Sequence, residues 1–141
     1  MEIYSTKNDS KNLVITVIPS SDAKLDDPNE VIVIIHQKED ARRRKRQAVT
    51  INAEGNYEAE VLKSKLVEKP IVKIITSFIV DANQFPNKDI IVAQTEIDYS
   101  FNGGQVQGFE TKYDTHKDEY NKGSDADETF RVTKRIEVLL T

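Results

Sequence analysis

The chain has 141 residues, of which 38% are hydrophobic and 31% charged, with a formal net charge of −4. That is the size of one folding unit with room for a real core. The acidic balance gives no general attraction to nucleic acid. Cysteine and tryptophan are absent and methionine occurs once. Disulfides, thiolate nucleophiles and Cys-ligated zinc are thereby excluded, and the core must be built from Ile, Val and Leu with a few Phe and Tyr.

In chain order, residues 1–10 are polar and lack the apolar stretch of a secretion signal. Residues 13–18 read as a first strand ended by Pro19, and 20–22 and 26–29 as turn clusters. Residues 31–35 are an unbroken β-branched run, which suits a strand covered on both faces or one near a sheet junction. Residues 37–46 are expected to form a loop or the exposed start of a strand. A hairpin is predicted from 48–51 and 57–62 around Asn52-Ala53-Glu54-Gly55-Asn56, with Tyr57, Ala59 and Val61 on one face. A short helix competes only at 63–69, where Pro70 ends it.

Residues 71–80 are the most apolar segment and the expected core strand. Residues 81–89, with Pro86, read as a long loop. From Ile91 to Phe101 the residues Ile91, Ala93, Thr95, Ile97, Tyr99 and Phe101 alternate with polar positions, which predicts one continuous strand. Asn102-Gly103-Gly104 signals a turn into a strand at 105–109. Residues 110–128 contain no Ile, Leu, Val or Phe and are expected to form an exposed loop. Phe130, Val132, Ile136, Val138 and Leu140 make a last alternating strand, in which Lys134 interrupts the apolar face and suggests a bulge or strand end. No stretch reads as a clear helix. The expected fold is all-β: a single antiparallel β-sandwich of about eight strands spanning 1–141, C-two-like or immunoglobulin-like, with a polar loop at 110–128.

Catalytic chemistry is weakly represented, and no catalytic residue is assigned. His36 and His116 are far apart and neither has a local partner for acid–base work. His36 reads as a strand-end histidine with a satisfied hydrogen bond. No phosphate-cradling glycine motif or nucleophile-elbow motif is present. The sharpest charge feature is Arg42-Arg43-Arg44-Lys45-Arg46. Five consecutive cations fit a phosphate-rich partner, an anionic lipid surface or an acidic neighbouring subunit. They also fit a guard along a sheet edge. Without interleaved aromatics a nucleic-acid partner is disfavoured.

Acidic loops raise the question of calcium, which takes several oxygens from flexible segments. Asp22, Asp26 and Asp27 follow the first strand, and Asp81, Asn83 and Asp89 follow the core strand. The run Leu13-Val14-Ile15-Thr16-Val17-Ile18, then Asp26-Asp27-Pro28, then 31–35, together with Phe78-Ile79-Val80-Asp81-Ala82-Asn83 and Asn87-Lys88-Asp89-Ile90, resembles the C-two domain of protein kinase C and synaptotagmins over roughly residues 12–100. The resemblance implies Asp26, Asp27, Asp81, Asn83 and Asp89 as calcium ligands and Arg42 to Arg46 meeting anionic headgroups. Asn83 replaces the family's usual carboxylate, and Ile91 stands where a glycine is usual.

The expected function is a non-enzymatic structural or interaction module, a subunit of a larger protein assembly such as a phage virion or injection apparatus, with protein subunits as partners and no required cofactor. The alternatives are a calcium-dependent module binding anionic phospholipid, and a carbohydrate-binding or adhesion module in which Tyr113 and Tyr120 stack on a sugar. The expected location is cytoplasmic or within an assembled particle.

Overall fold

A computed structural model describes residues 1–26, 30–66, 68–103, 109–114, 117–121 and 129–141. Among these residues the chain forms strands β1 (Glu2–Thr6), β2 (Leu13–Ser20), β3 (Lys24–Leu25), β4 (Val31–Gln37), β5 (Asp40–Gln47), β6 (Thr50–Ile51), β7 (Tyr57–Val61), β8 (Pro70–Ile79), β9 (Glu96–Asn102), β10 (Phe109–Lys112), β11 (Glu119–Asn121) and β12 (Thr129–Leu140). One α-helix, α1 (Lys88–Gln94), and two 3₁₀ turns (Lys63–Lys65 and Ala82–Asn87) accompany them.

The strands build two sheets. In the first the order is β1-β12-β8-β4-β5, with the short β11 on the same edge of β12 as β1 and β3 continuing the line of β4 along β8. In the second it is β10-β9-β2-β7-β6. The expectation of an all-β chain therefore holds. The count of about eight strands is corrected, because the two long strands β8 and β12 are each flanked by short segments that single-strand patterning does not register. The expectation of purely antiparallel pairing is also corrected: β1 pairs parallel to β12, Glu2 beside Ile136 through Thr6 beside Leu140. No local crossover helix is needed, since the connection between these two strands is nearly the whole chain.

Period-two patterning explains most elements. Leu13, Ile15 and Val17 of β2, Val31, Val33 and Ile35 of β4, and Ile97, Tyr99 and Phe101 of β9 are buried, while their neighbours are half-buried or exposed. β4 is thus buried on one face and half-covered on the other, not sealed on both. The buried residues of both sheets form one apolar cluster. Tyr4 of the first sheet meets Phe101 of the second edge-on, with ring centroids 5.6 Å apart. Phe78 and Phe130 stack across β8 and β12 at 4.8 Å.

The predicted hairpin forms between β6 and β7. Asn52 holds it: its Oδ1 accepts the amides of Glu54 and Asn56, each at 3.0 Å. Gly55 takes the left-handed conformation (φ +81°) that glycine adopts without steric cost. Pro19 does not end β2, which runs on to Ser20. The pairing of β2 with β7 stops at Val17. From Ile18 onward that side of β2 is an edge, where a missing amide is tolerated. Residues 40–47 adopt the exposed-strand alternative foreseen for 37–46, and in 63–69, where a short helix competes, Lys63–Lys65 forms one 3₁₀ turn.

The largest correction concerns 81–101. Residues 82–94, expected as a loop and then a strand, are helical, and β9 starts only at Glu96. Buried Lys88, Ile91 and Val92 share one face at helical spacing. Asp89 sits in the first turn, where a carboxylate suits the helix dipole. Thr95 closes the helix, its hydroxyl donating to the Ile91 carbonyl at 2.8 Å and lying 2.7 Å from Ser21 Oγ. The exposed loop expected at 110–128 is likewise corrected, because β10 extends to Lys112 and β11 covers Glu119–Asn121. Residues 104–108, 115–116 and 122–128 lie outside the described residues, and with them most of the strand expected at 105–109 and part of the loop expected at 110–128.

Lys134 makes no bulge. β12 keeps register with β8 straight through it, opposite Ile74. Its side chain points to the core face and is 3% exposed.

Gly103 shows a close approach. A β-carbon there would overlap the Thr6 hydroxyl and come within 2.7 Å of Tyr4 Oη. Gly103→Ala is expected to destabilise the fold by about 1–3 kcal/mol, as overpacking does. A chemical-denaturation midpoint indistinguishable from wild type would contradict this.

Candidate functional site

β5 is the terminal strand of the first sheet and pairs with β4 on one side. It carries Arg42, Arg43, Arg44, Lys45 and Arg46, all exposed. The register sets Lys45 beside Ile35, Arg44 beside His36 and Arg46 beside Ile34. Because Ile35 is a core residue, Lys45 and its alternate neighbour Arg43 lean toward the inner side of the sheet. Arg44 and Arg46 alternate with Lys45, and beyond Arg44 the register with β4 shifts, so that Arg42, Arg43 and Arg44 all border the cleft beneath this edge.

Their partners are sparse. Arg42 reaches Asp40 Oδ1 at 3.3 Å with its own side chain almost fully solvated, and Arg43 donates to Gln37 Oε1 at 3.4 Å. Among the described residues, the side chains of Arg44 and Lys45 have no hydrogen-bond or ion-pair partner. Same-face neighbours on a strand are about 6.8 Å apart, so each such pair of unit charges repels by about 0.6 kcal/mol in water. The cluster is mildly self-repelling, and an opposite charge beside it would reverse the sign.

Beneath this edge the two sheets leave a cleft of about 310 Å³. Ile35, Val61, Leu62 and Leu66 supply its apolar part, and Arg42, Arg43, Arg44, Lys45 and Lys65 its cationic part. Ile35 and Val61 belong to the core, whereas Leu62 is 46% exposed. The 3₁₀ turn that follows β7 brings Leu62, Lys65 and Leu66 from the second sheet to the basic edge of the first. Sequence reading found the arginines but not these partners, whose proximity depends on how the sheets face each other.

The acidic residues considered for calcium are less concentrated. Asp26 follows β3, and its amide donates to the Ser77 carbonyl at 2.9 Å. Asp81 lies beyond the end of β8, where its amide donates to Gln84 Oε1 at 3.0 Å. The two amides are thus tied to different places, one to Ser77 inside β8 and the other to Gln84 beyond its end. Asn83 is in the 3₁₀ turn and Asp89 in the first turn of α1. Gln84 Nε2 reaches the Asp22 carbonyl at 3.4 Å, which does bring the two acidic regions together at one end of the sheets. Asp27 lies outside the described residues, and among those described no three His, Asp or Glu side chains converge as a metal site.

His36 is near the end of β4 with its Nδ1 2.9 Å from the Gln37 carbonyl oxygen, as expected of a satisfied strand-end histidine. His116 lies outside the described residues. Tyr113 packs against the core, and burial pushes its phenol pKa up. Tyr120 is exposed on β11.

Among the described residues three lysines are buried, Lys63, Lys88 and Lys134, and the burial of Lys63 and Lys134 went unrecognised in the sequence together with the partners that hold them. Lys63, 1% exposed, donates to the carbonyls of Lys7 and Gly103, both at 2.7 Å, and to Asp9 Oδ1 at 2.8 Å. The hydrogen bond from Lys63 holds the Asp9 carboxyl below its ordinary range. Lys134 meets Glu2 at 2.6 Å, Asp118 at 2.9 Å and the Lys112 carbonyl at 3.0 Å. Burial disfavours its charge, but the hydrogen bonds with Glu2 and Asp118 outweigh that and its pKa lies above the ordinary lysine value. Both ammonium groups use three acceptors, the number an ammonium can serve. They tie together distant segments and are spent on structure.

Taken together, the described residues define an all-β protein of two sheets with a cationic terminal strand. Comparison with protein-family models, curated proteins and solved structures gives no match. Among the described residues no helix is long and apolar enough to cross a membrane.

Proposed function

We propose that this chain is a non-enzymatic interaction module, a subunit of a larger protein assembly, and that it docks an acidic partner surface along β5. The fold reads best as a β-sandwich scaffold holding that edge. The observation that carries the proposal is the placement of five exposed cations on a terminal strand. Charged side chains on an edge strand also guard it against unwanted pairing, usually beside other devices such as proline, bulges or a short strand. Five in a row suit an acidic partner as well, since complementary charge across an interface supplies steering and register.

The test is anisotropy of fluorescently labelled poly-glutamate titrated with the protein at low and moderate salt. Binding is expected, weakening as salt rises. The double variant Arg44→Glu, Lys45→Glu should lose it while keeping the wild-type melting curve, since both side chains are solvated. Equal binding by that variant would remove the proposal.

A further inference from the structure

We infer that the cleft beside β5 seats an extended acidic segment of a partner protein, added as a further strand outside β5 with an apolar side chain in the cleft. This rests on the reading of β5 as the docking edge and specifies its occupant.

Three features converge on an extended polypeptide. The first is that β5 ends its sheet, so among the described residues one side of it has no strand hydrogen-bonded to it, although β7 of the other sheet comes near. A strand added there gains main-chain hydrogen bonds, and pockets for alternate side chains supply selectivity. An anionic lipid or a free anion could meet the arginines but could not use that backbone.

The second feature is the two-sided character of β5. A strand laid beside it would also alternate, sending every second residue toward the inner side and the rest outward. The inner positions fall over the apolar cleft of Ile35, Val61, Leu62 and Leu66. The alternate positions fall along the cationic rim of the same cleft, formed by Arg42, Arg43, Arg44 and Lys45. The matching ligand therefore alternates apolar and acidic residues. β7 of this same fold, Tyr57-Glu58-Ala59-Glu60-Val61, follows that pattern, burying Ala59 and Val61 while Glu60 is exposed.

The third feature is size. At about 310 Å³ the cleft is at the lower limit for small-molecule sites, which run from about 300 to 1,000 Å³. It suits one or two apolar side chains better than a whole cofactor. Charge also argues against a second copy docking through the same edge, because two β5 strands would place cation against cation.

The experiment uses the full chain and three labelled probes: a heptapeptide alternating glutamate and valine, one alternating glutamate and proline, and poly-glutamate. Proline keeps charge and apolar character but removes every second amide and fixes φ near −65° at each of its positions, so the glutamate–proline chain cannot hold the extended conformation of a paired strand. The glutamate–valine peptide should bind about tenfold more tightly than the proline peptide, the equivalent of one to three net hydrogen bonds. In its complex, amide exchange across residues 40–47 should slow. Leu62→Ser, at a half-exposed position, should weaken the valine peptide and leave poly-glutamate unchanged.

Equal affinity for the valine and proline peptides, or unchanged exchange in β5, would overturn the added strand while leaving β5 as a docking edge. Failure of all three probes would remove both readings. Vesicles containing phosphatidylserine bound in a Lys45-dependent manner, with no peptide bound, would overturn both in favour of a lipid surface.

Discussion

Lys134→Ala is expected to destabilise the fold by about 3 kcal/mol, lowering the melting temperature by about 10 °C. Breaking a buried ion pair from one side costs about 3–5 kcal/mol, because the remaining charge stays uncompensated. The lower end applies because Glu2 is nearly half exposed and can be rehydrated. Asp118 is much less accessible and keeps a hydrogen bond from the Asp114 amide at 2.8 Å. Lys134→Met fills the space without the charge and should fall between wild type and alanine. Thermal melts of both variants check this, and an alanine variant as stable as wild type would show that the cluster contributes nothing.

The same cluster sets a pH dependence. Burial raises the Glu2 pKa, but hydrogen bonds from Lys134 and Thr111 outweigh it and the carboxyl ends below its ordinary value. Its contribution to stability is therefore present above the unfolded-state value of 4.5 and lost as pH falls through the lower folded value. Lys134 behaves oppositely. Its raised pKa gives a contribution that is complete below 10.5 and lost as pH rises through the higher folded value. Glu2→Gln should flatten the acid limb of the stability profile. An unchanged acid limb in that variant would show that Glu2 is not the group responsible.

The second large effect is expected at Lys63. Lys63→Ala removes the donor for the carbonyls of Lys7 and Gly103, the first part-buried and the second buried. Hydrogen bonds to a charged group contribute about 1.5–3 kcal/mol each, so the two carbonyls alone imply a loss of about 3 kcal/mol or more. The segment around Lys7 and the end of β9 would lose a shared anchor. Hydrogen exchange should therefore accelerate first there, ahead of the β8 core. Uniform acceleration through the whole chain would indicate a global effect without that local role.

The legible parts of the fold were those where one strand carries its own alternation. β2, β8, β12 and the β6–β7 hairpin can each be found from side-chain period and turn chemistry within one window. α1 was hidden because Ile90, Ile91 and Val92 are β-branched and favour strands locally. Their helical state follows from a buried face of Lys88, Ile91 and Val92 that only packing reveals. β1 was missed because its buried side chains, Tyr4 and Thr6, are too few to make a pattern. Lys134 was misread as an interruption because its neutralising partners, Glu2 and Asp118, come from distant segments. The candidate site divides the same way. The arginines are evident in a row, but the cleft needs Val61, Leu62, Lys65 and Leu66 from the other sheet. For the acidic residues, the ligand set came from the resemblance, and the contact that joins their two regions, Gln84 Nε2 to the Asp22 carbonyl, involves a glutamine no acidic pattern would single out.

The parallel pairing of β1 with β12 has a consequence for synthesis on the ribosome. Glu2 and Ile136 are 136 − 2 = 134 residues apart in sequence. At about 5–20 residues per second, β1 leaves the ribosome roughly 7–27 seconds before its partner strand exists. Throughout that interval Tyr4 has no sheet to enter and Glu2 no ammonium to meet. The polar character of residues 1–10 keeps a waiting segment soluble until the last strand arrives to claim it.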